Sequence, residues 1–113
     1  MLTEEEIAQY KREHGDIVLI TTPPASDETQ CGELVFKAAP PPVWADFQQS
    51  ILKEREKGLH GPAFRRLCHA CRVYPDERTL EAVFRRYSAL ATRCANAITD
   101  ISGQGDEFQV KKL

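Results

Sequence analysis

Apolar residues in this chain fall into short groups, and Gly and Pro lie between the groups rather than inside them. Such punctuation marks element boundaries, because Gly frees the backbone and Pro removes a hydrogen-bond donor. The first group is sparse. Thr3 and Glu6 have the spacing of a capping box, three Glu occupy the first turn, and Gly15 stops the run. That predicts a helix over 3–14 with a thin apolar face of Ile7, Ala8 and Tyr10.

Ile17-Val18-Leu19-Ile20-Thr21 and Leu34-Val35-Phe36-Lys37-Ala38 are short, strand-forming runs bounded by Asp16, Pro23, Gly32 and Pro40. They predict an antiparallel hairpin over 17–38 with a long, Pro-rich, mobile loop. Two strands alone are marginal, so the hairpin must pack on helices or on another subunit. Its outer edges are natural places for another chain to add.

Helical spacing dominates the rest. The pattern predicts helices over 41–57, 62–73, 77–87 and 89–102. Core positions are Trp44, Phe47 and Ile51, then Phe64, Leu67, Cys68 and Cys71, then Leu80, Val83, Phe84 and Tyr87, then Leu90, Cys94, Ile98 and Ile101. The polar residues Lys53 to Lys57 form the outer face of the second of these five helices. Tyr74-Pro75 ends the third, because a residue before Pro avoids helical geometry. Asp76 and Ser88 are placed to cap the fourth and fifth. The expected fold is α+β: a mostly α-helical single domain over 1–103, with a four-helix body, an N-terminal helix and a two-stranded hairpin. Residues 104–113 are expected to form a flexible tail.

The 113-residue length agrees with one small domain, and no apolar run approaches the roughly 20 residues that cross a bilayer. The acidic start, Met1 to Glu6, lacks the basic and apolar stretches of a signal peptide, so a cytoplasmic protein is expected. The formal net charge of −2 hides an asymmetry. Residues 1–33 carry a net −6, whereas residues 34–103 carry +4. Folding against its own opposite charge is the plainer reading, and binding of an acidic partner is the functional one.

Cys68-His69-Ala70-Cys71 has the spacing of a zinc or redox motif, with Cys94, Cys31 or His60 available to complete a ligand set. Cys68 and Cys71 also lie on the apolar stripe of a helix, with His69 off that face. Core packing of free thiols is therefore the preferred reading, and no metal or cofactor is expected. His14, His60 and His69 adjoin no nucleophile motif, and Gly103-Gln104-Gly105 lacks the rest of a dinucleotide fingerprint. No enzymatic role is expected. Arg65, Arg66, Arg85 and Arg86 stand out in an arginine-rich helical half. The neighbouring aromatics occupy core positions, so protein ranks above nucleic acid as the partner. Together with Ile17, Leu19 and Val35 of the hairpin, these four arginines are the candidate partner-binding residues.

The run Glu33 to Pro40, followed by Val43-Trp44-Ala45-Asp46-Phe47, then Leu67 to Tyr74-Pro75, then Leu80 to Tyr87 and Leu90, follows a familiar order. Over residues 33–101 the chain resembles small tail assembly chaperones of long-tailed bacteriophages and prophages. The resemblance implies a non-enzymatic protein of the bacterial host cytoplasm. It would bind the long, aggregation-prone tape measure protein and recruit tail tube subunits, with no catalytic residue involved. Two alternatives stand beside it: a small regulatory adaptor that dimerises through the hairpin edge, and a zinc-binding domain using Cys68 and Cys71.

Overall fold

The structure, a computed structural model, describes residues 2–22, 32–58 and 62–104. The expected loop over 23–31, the tail over 105–113, Cys31 and His60 lie outside the described residues. The architecture is α+β, with five helices and a three-stranded antiparallel sheet. The helices are α1 (Glu4–His14), α2 (Pro41–Lys57), α3 (Pro62–Ala70), α4 (Glu77–Arg86) and α5 (Leu90–Thr99), the last running into a π-helical turn at Asp100–Gln104. The strands are β1 (Ile17–Thr21), β2 (Glu33–Lys37) and β3 (Arg72–Tyr74), in spatial order β1-β2-β3.

The third strand corrects the expected two-stranded hairpin and shortens the third helix, expected over 62–73, to Pro62–Ala70. Val73 and Tyr74 are good strand formers, and Pro75 biases Tyr74 toward extended backbone. Leaving the helix lets this segment pair with β2: Val35 lies opposite Tyr74 and Phe36 opposite Arg72, with a register shift between them. The Lys37 N–H also donates to the Cys71 carbonyl at 2.9 Å. On its other side β2 pairs with β1 through Ile17 opposite Lys37, Leu19 opposite Val35 and Thr21 opposite Glu33.

β2 is thus the central strand, and Leu34, Val35 and Phe36 are all fully buried. Because strand side chains alternate, Leu34 and Phe36 face one way and Val35 the other. Leu34 and Phe36 join Leu67, Cys68, Cys71, Leu80, Val83, Phe84, Cys94 and Ile98 in the core, with Val18 and Ile20 of β1 packed against it. Small residues let these elements approach closely: Ala63, Ala91 and Ala95 are buried too.

The second helix departs from its expected role. Phe47 is half-buried and packs against the core together with Val43, whereas Trp44 and Ile51, also half-buried, lie outside it, because α3, α4 and α5 already fill the core face of the sheet. α2 lies on α3 instead, through a chain of rings in which Trp44 and Phe47 are 5.4 Å apart and Phe47 and Phe64 are 6.0 Å apart. Its buried residue is Glu54, which the helical pattern assigns to the outer face. The Glu54 carboxylate accepts the Ala63 N–H at 3.2 Å, satisfying a donor in the first turn of α3 that has no partner within the helix. Arg66 stands 3.7 Å from its second oxygen. Gly58, at φ 70°, takes the left-handed conformation that closes α2.

Other local expectations hold. Thr3 and Glu6 exchange both bonds of the capping box, at 3.1 and 3.2 Å. Asp76 accepts the Thr79 N–H at 2.8 Å and caps α4. Ser88 does not cap α5: the flanking residue is Ala89, which makes no side-chain cap bond. At the far end of α5, the Ser102 hydroxyl donates to the Ile98 carbonyl at 2.7 Å and accepts the Ala39 N–H at 2.9 Å. That pair of bonds ties the helix to the segment leaving β2. Among the described residues, no helix is long and apolar enough to cross a membrane.

Phe36 is fully buried at the centre of the sheet, whereas Leu52 on α2 is 61% exposed. Phe36→Ala should lose about 3–5 kcal/mol of stability in urea denaturation. Leu52→Ala should stay within about 0.5 kcal/mol of wild type. Similar losses for both would place the core elsewhere.

Candidate functional site

The helix pair α3 and α4 borders an open cleft of about 660 Å³. Its walls carry Arg65, Arg66 and His69 from α3, and Glu81, Phe84 and Arg85 from α4. Apolar stripes on both helices turn Leu67, Cys68, Leu80 and Val83 inward, so the intervening charged residues are directed toward the cleft and solvent.

Glu81 organises the cleft. One carboxylate oxygen accepts from Arg65 Nη2 at 2.7 Å, and the other meets His69 Nε2 at 2.7 Å. The hydrogen bond with His69, then the positive charge of Arg65, holds the Glu81 carboxyl below its ordinary value of 4.5. The imidazole stands edge-on to Phe84, 6.1 Å between centroids, and its Nδ1 is buried with no partner among the described residues. Three guanidinium groups face one carboxylate here, so the cleft remains net positive. Arg85 has no ion pair among the described residues, and its charge acts on Glu81 through space.

The structure therefore brings Arg65, Arg66 and Arg85 together but separates Arg86. The Arg86 guanidinium lies 5.7 Å over the Tyr87 ring, by a second cleft that also borders Thr21, Leu90 and Arg93. Glu81 is a site residue that the sequence did not single out. A single-helix pattern shows Glu81 only as one more exposed charge; its role depends on the α3–α4 register.

The strand candidates also converge. Register places Leu19 beside Val35, and the period of two puts Ile17 on that same face, away from the core. Their exposure differs: Leu19 is 39% exposed, Ile17 half-buried and Val35 fully buried. Both outer edges of the hairpin were expected to be open. β3 occupies the β2 edge, so among the described strands β1 is the one with an unpaired edge beside the hairpin. Val35, on the same face, is fully buried and offers no surface.

Cys68, Cys71 and Cys94 are fully buried free thiols within the core. Cys68 Sγ donates to the Ala91 carbonyl at 3.5 Å. A hydrogen bond with Cys94, followed by burial, pushes the Cys68 thiol far upward; burial pushes Cys71 up to about 11 despite the charge of Lys37. The Cys68–Cys94 bond moves the Cys94 thiol the other way, downward. Metal ligation requires thiolate, which these surroundings disfavour at Cys68 and Cys71, the pair with zinc-motif spacing, but not at Cys94. Among the described residues, no group of three His, Cys, Asp or Glu side chains is placed to hold a metal ion.

No protein-family model, curated protein or solved structure matches the chain.

Glu81→Gln should weaken the fold at pH 7, by about 1 kcal/mol or less for so exposed a pair. The folded-state pKa is lowered, so this contribution is fully present above the unfolded value and disappears as pH falls through the folded one. The wild-type advantage in urea denaturation should therefore shrink below about pH 4.5. A gap unchanged at acid pH would remove the carboxylate from the account. Separately, Cys68, Cys71 and Cys94 should resist iodoacetamide in the native protein and react after denaturation, as read by peptide mass mapping. Rapid native labelling, or stoichiometric zinc in the purified protein, would contradict the packed-thiol description.

Proposed function

We propose that the chain is a tail assembly chaperone of a long-tailed bacteriophage or prophage, acting without catalysis in the bacterial host cytoplasm. Its clients are the tape measure protein and, through the same binding role, tail tube subunits. The observation that carries this reading is the order of motifs over residues 33–101: a strand followed by Pro40, a helix bearing Trp44 and Phe47, the Val73-Tyr74-Pro75 break, and two further helices.

The physical demands of such a role give it a second support. A chaperone for a long, aggregation-prone chain needs to hold extended or amphipathic segments without becoming insoluble. Among the described residues, β1 has backbone donors and acceptors along an unpaired edge, with the Leu19 side chain exposed beside them. Strand addition at such an edge takes affinity from main-chain hydrogen bonds and selectivity from alternate side chains. The charged helical half supplies solubility around it.

Co-expression with the tape measure protein of the same genome tests this function. The soluble fraction of that protein should rise, and the two should co-purify. Leu19→Lys should reduce recovery of the complex while leaving the circular dichroism spectrum unchanged. No gain in solubility together with no co-purification would overturn the assignment.

A further inference from the structure

We propose that the arginine cleft between α3 and α4 receives the acidic first turn of α1 from a second copy of this chain. The contact is made reciprocally, so that two chains exchange N-terminal helices. This self-association is separate from client binding and stands whatever the client is.

Three observations support it. First, the cleft is built for carboxylates and is incompletely neutralised. Arg65 already engages Glu81 by a 2.7 Å bond, which shows the geometry of guanidinium pairing in the cleft. Arg85 has no ion pair among the described residues, and Arg66, 62% exposed, reaches Glu54 only at 3.7 Å. Planar guanidinium groups pair with carboxylates bidentately, so two more carboxylates have ready partners.

Second, α1 has carboxylates to give. None of its residues is buried. Glu6 closes the capping box, but Glu4 and Glu5 of the same turn are exposed and have no partner among the described residues. The helix is held to its own chain lightly, by contact with β1 and by the Leu2 N–H donating to Glu33 at 2.9 Å. Ile7 and Tyr10 are half-buried in their own chain, which leaves the exposed Glu4 and Glu5 as the groups α1 can offer to another surface.

Third, the charges select this arrangement over the obvious alternative. Residues 1–33 carry a net −6 and residues 34–103 a net +4. Pairing two copies edge to edge through β1 would bring two acidic α1 helices near each other, since α1 lies on β1. Exchange of arm and cleft sets opposite charges together twice, and a two-fold axis closes the assembly.

Sedimentation velocity of the full chain tests the proposal. A reversible dimer should form at low salt. Its dissociation constant should rise at least tenfold between about 50 mM and about 500 mM NaCl, because part-exposed ion pairs are screened. Arg85→Glu alone, and Glu4→Lys with Glu5→Lys, should each give a monomer with an unchanged circular dichroism spectrum. Mixing those two variants should restore a heterodimer, since the acidic arm of the Arg85→Glu chain meets an unaltered arginine cleft and the basic arm of the other chain meets a cleft that has lost its net positive charge. A wild-type monomer at all concentrations would overturn the proposal. So would a dimer indifferent to salt and to both variants, which would place the interface elsewhere, or a variant mixture that stays monomeric.

Discussion

The backbone of β2 is the constraint on which the remaining architecture depends. Leu34, Val35 and Phe36 are fully buried, so the strand is covered on both faces. Its N–H and C=O groups have no route to water and must be paired on both edges. β1 supplies one edge through the hairpin. The second edge requires another segment, and Arg72–Tyr74 takes it by leaving the helical path at Ala70. That departure fixes where α3 ends and where α4 begins after Pro75. The width of the cleft between those helices, and the meeting of Arg65, His69 and Glu81 across it, follow from the pairing of a strand on the other side of the core.

Charge is handled on a similar principle. Two carboxylates sit where the helical periodicity alone would put solvent-facing ones. Glu54 closes the first turn of α3, and Glu81 joins α3 to α4 through Arg65 and His69. Each sits between helices that the apolar core already brings together, so neither must hold the fold alone. The pairings instead fix the register of one helix against the next. A part-buried carboxylate without its donors is costly, which penalises registers that break these bonds. Arg66 and Arg85 lie at the periphery of this arrangement and retain charge for use outside the chain.

The local features were legible in the sequence. The capping box of Thr3 and Glu6, the Asp76 cap, the strand character of 17–21 and 34–38 (one residue off the observed Glu33–Lys37), and the stripes of Leu67, Leu80, Val83 and Ile98 each depend on residues a few positions apart. Features that depend on distant partners were not. Arg72-Val73-Tyr74 continues a helical stripe through Cys71 when read alone; only the unpaired edge of β2 makes a strand the better state. Trp44 and Ile51 look like core residues by size, yet the available volume is taken by three other helices and closed by Ala63, Ala91 and Ala95. The same limit governs the candidate site. Four arginines were visible as a group, but which three share a cleft, and that Glu81 organises them, is a property of helix–helix register.

The β1 edge can be weighed by what protects edges in other monomers. Such strands usually carry a Lys, a Pro, an inward charge or a covering segment, because an open ladder of donors and acceptors invites pairing with any exposed strand. Ile17 to Thr21 carry no charge and no Pro, and Leu19 remains exposed. What stands nearby is α1, whose first turn is acidic and whose residues are all outside the core. A negatively charged arm beside an uncharged edge repels a second copy approaching in the same way, yet does little to exclude a neutral or basic extended segment. Indiscriminate self-pairing is opposed by electrostatics rather than by altering the strand. Replacing β1 residues with charges would protect the edge more simply. Among the described residues, protection of this edge therefore comes from the charge of α1 rather than from the strand's own sequence.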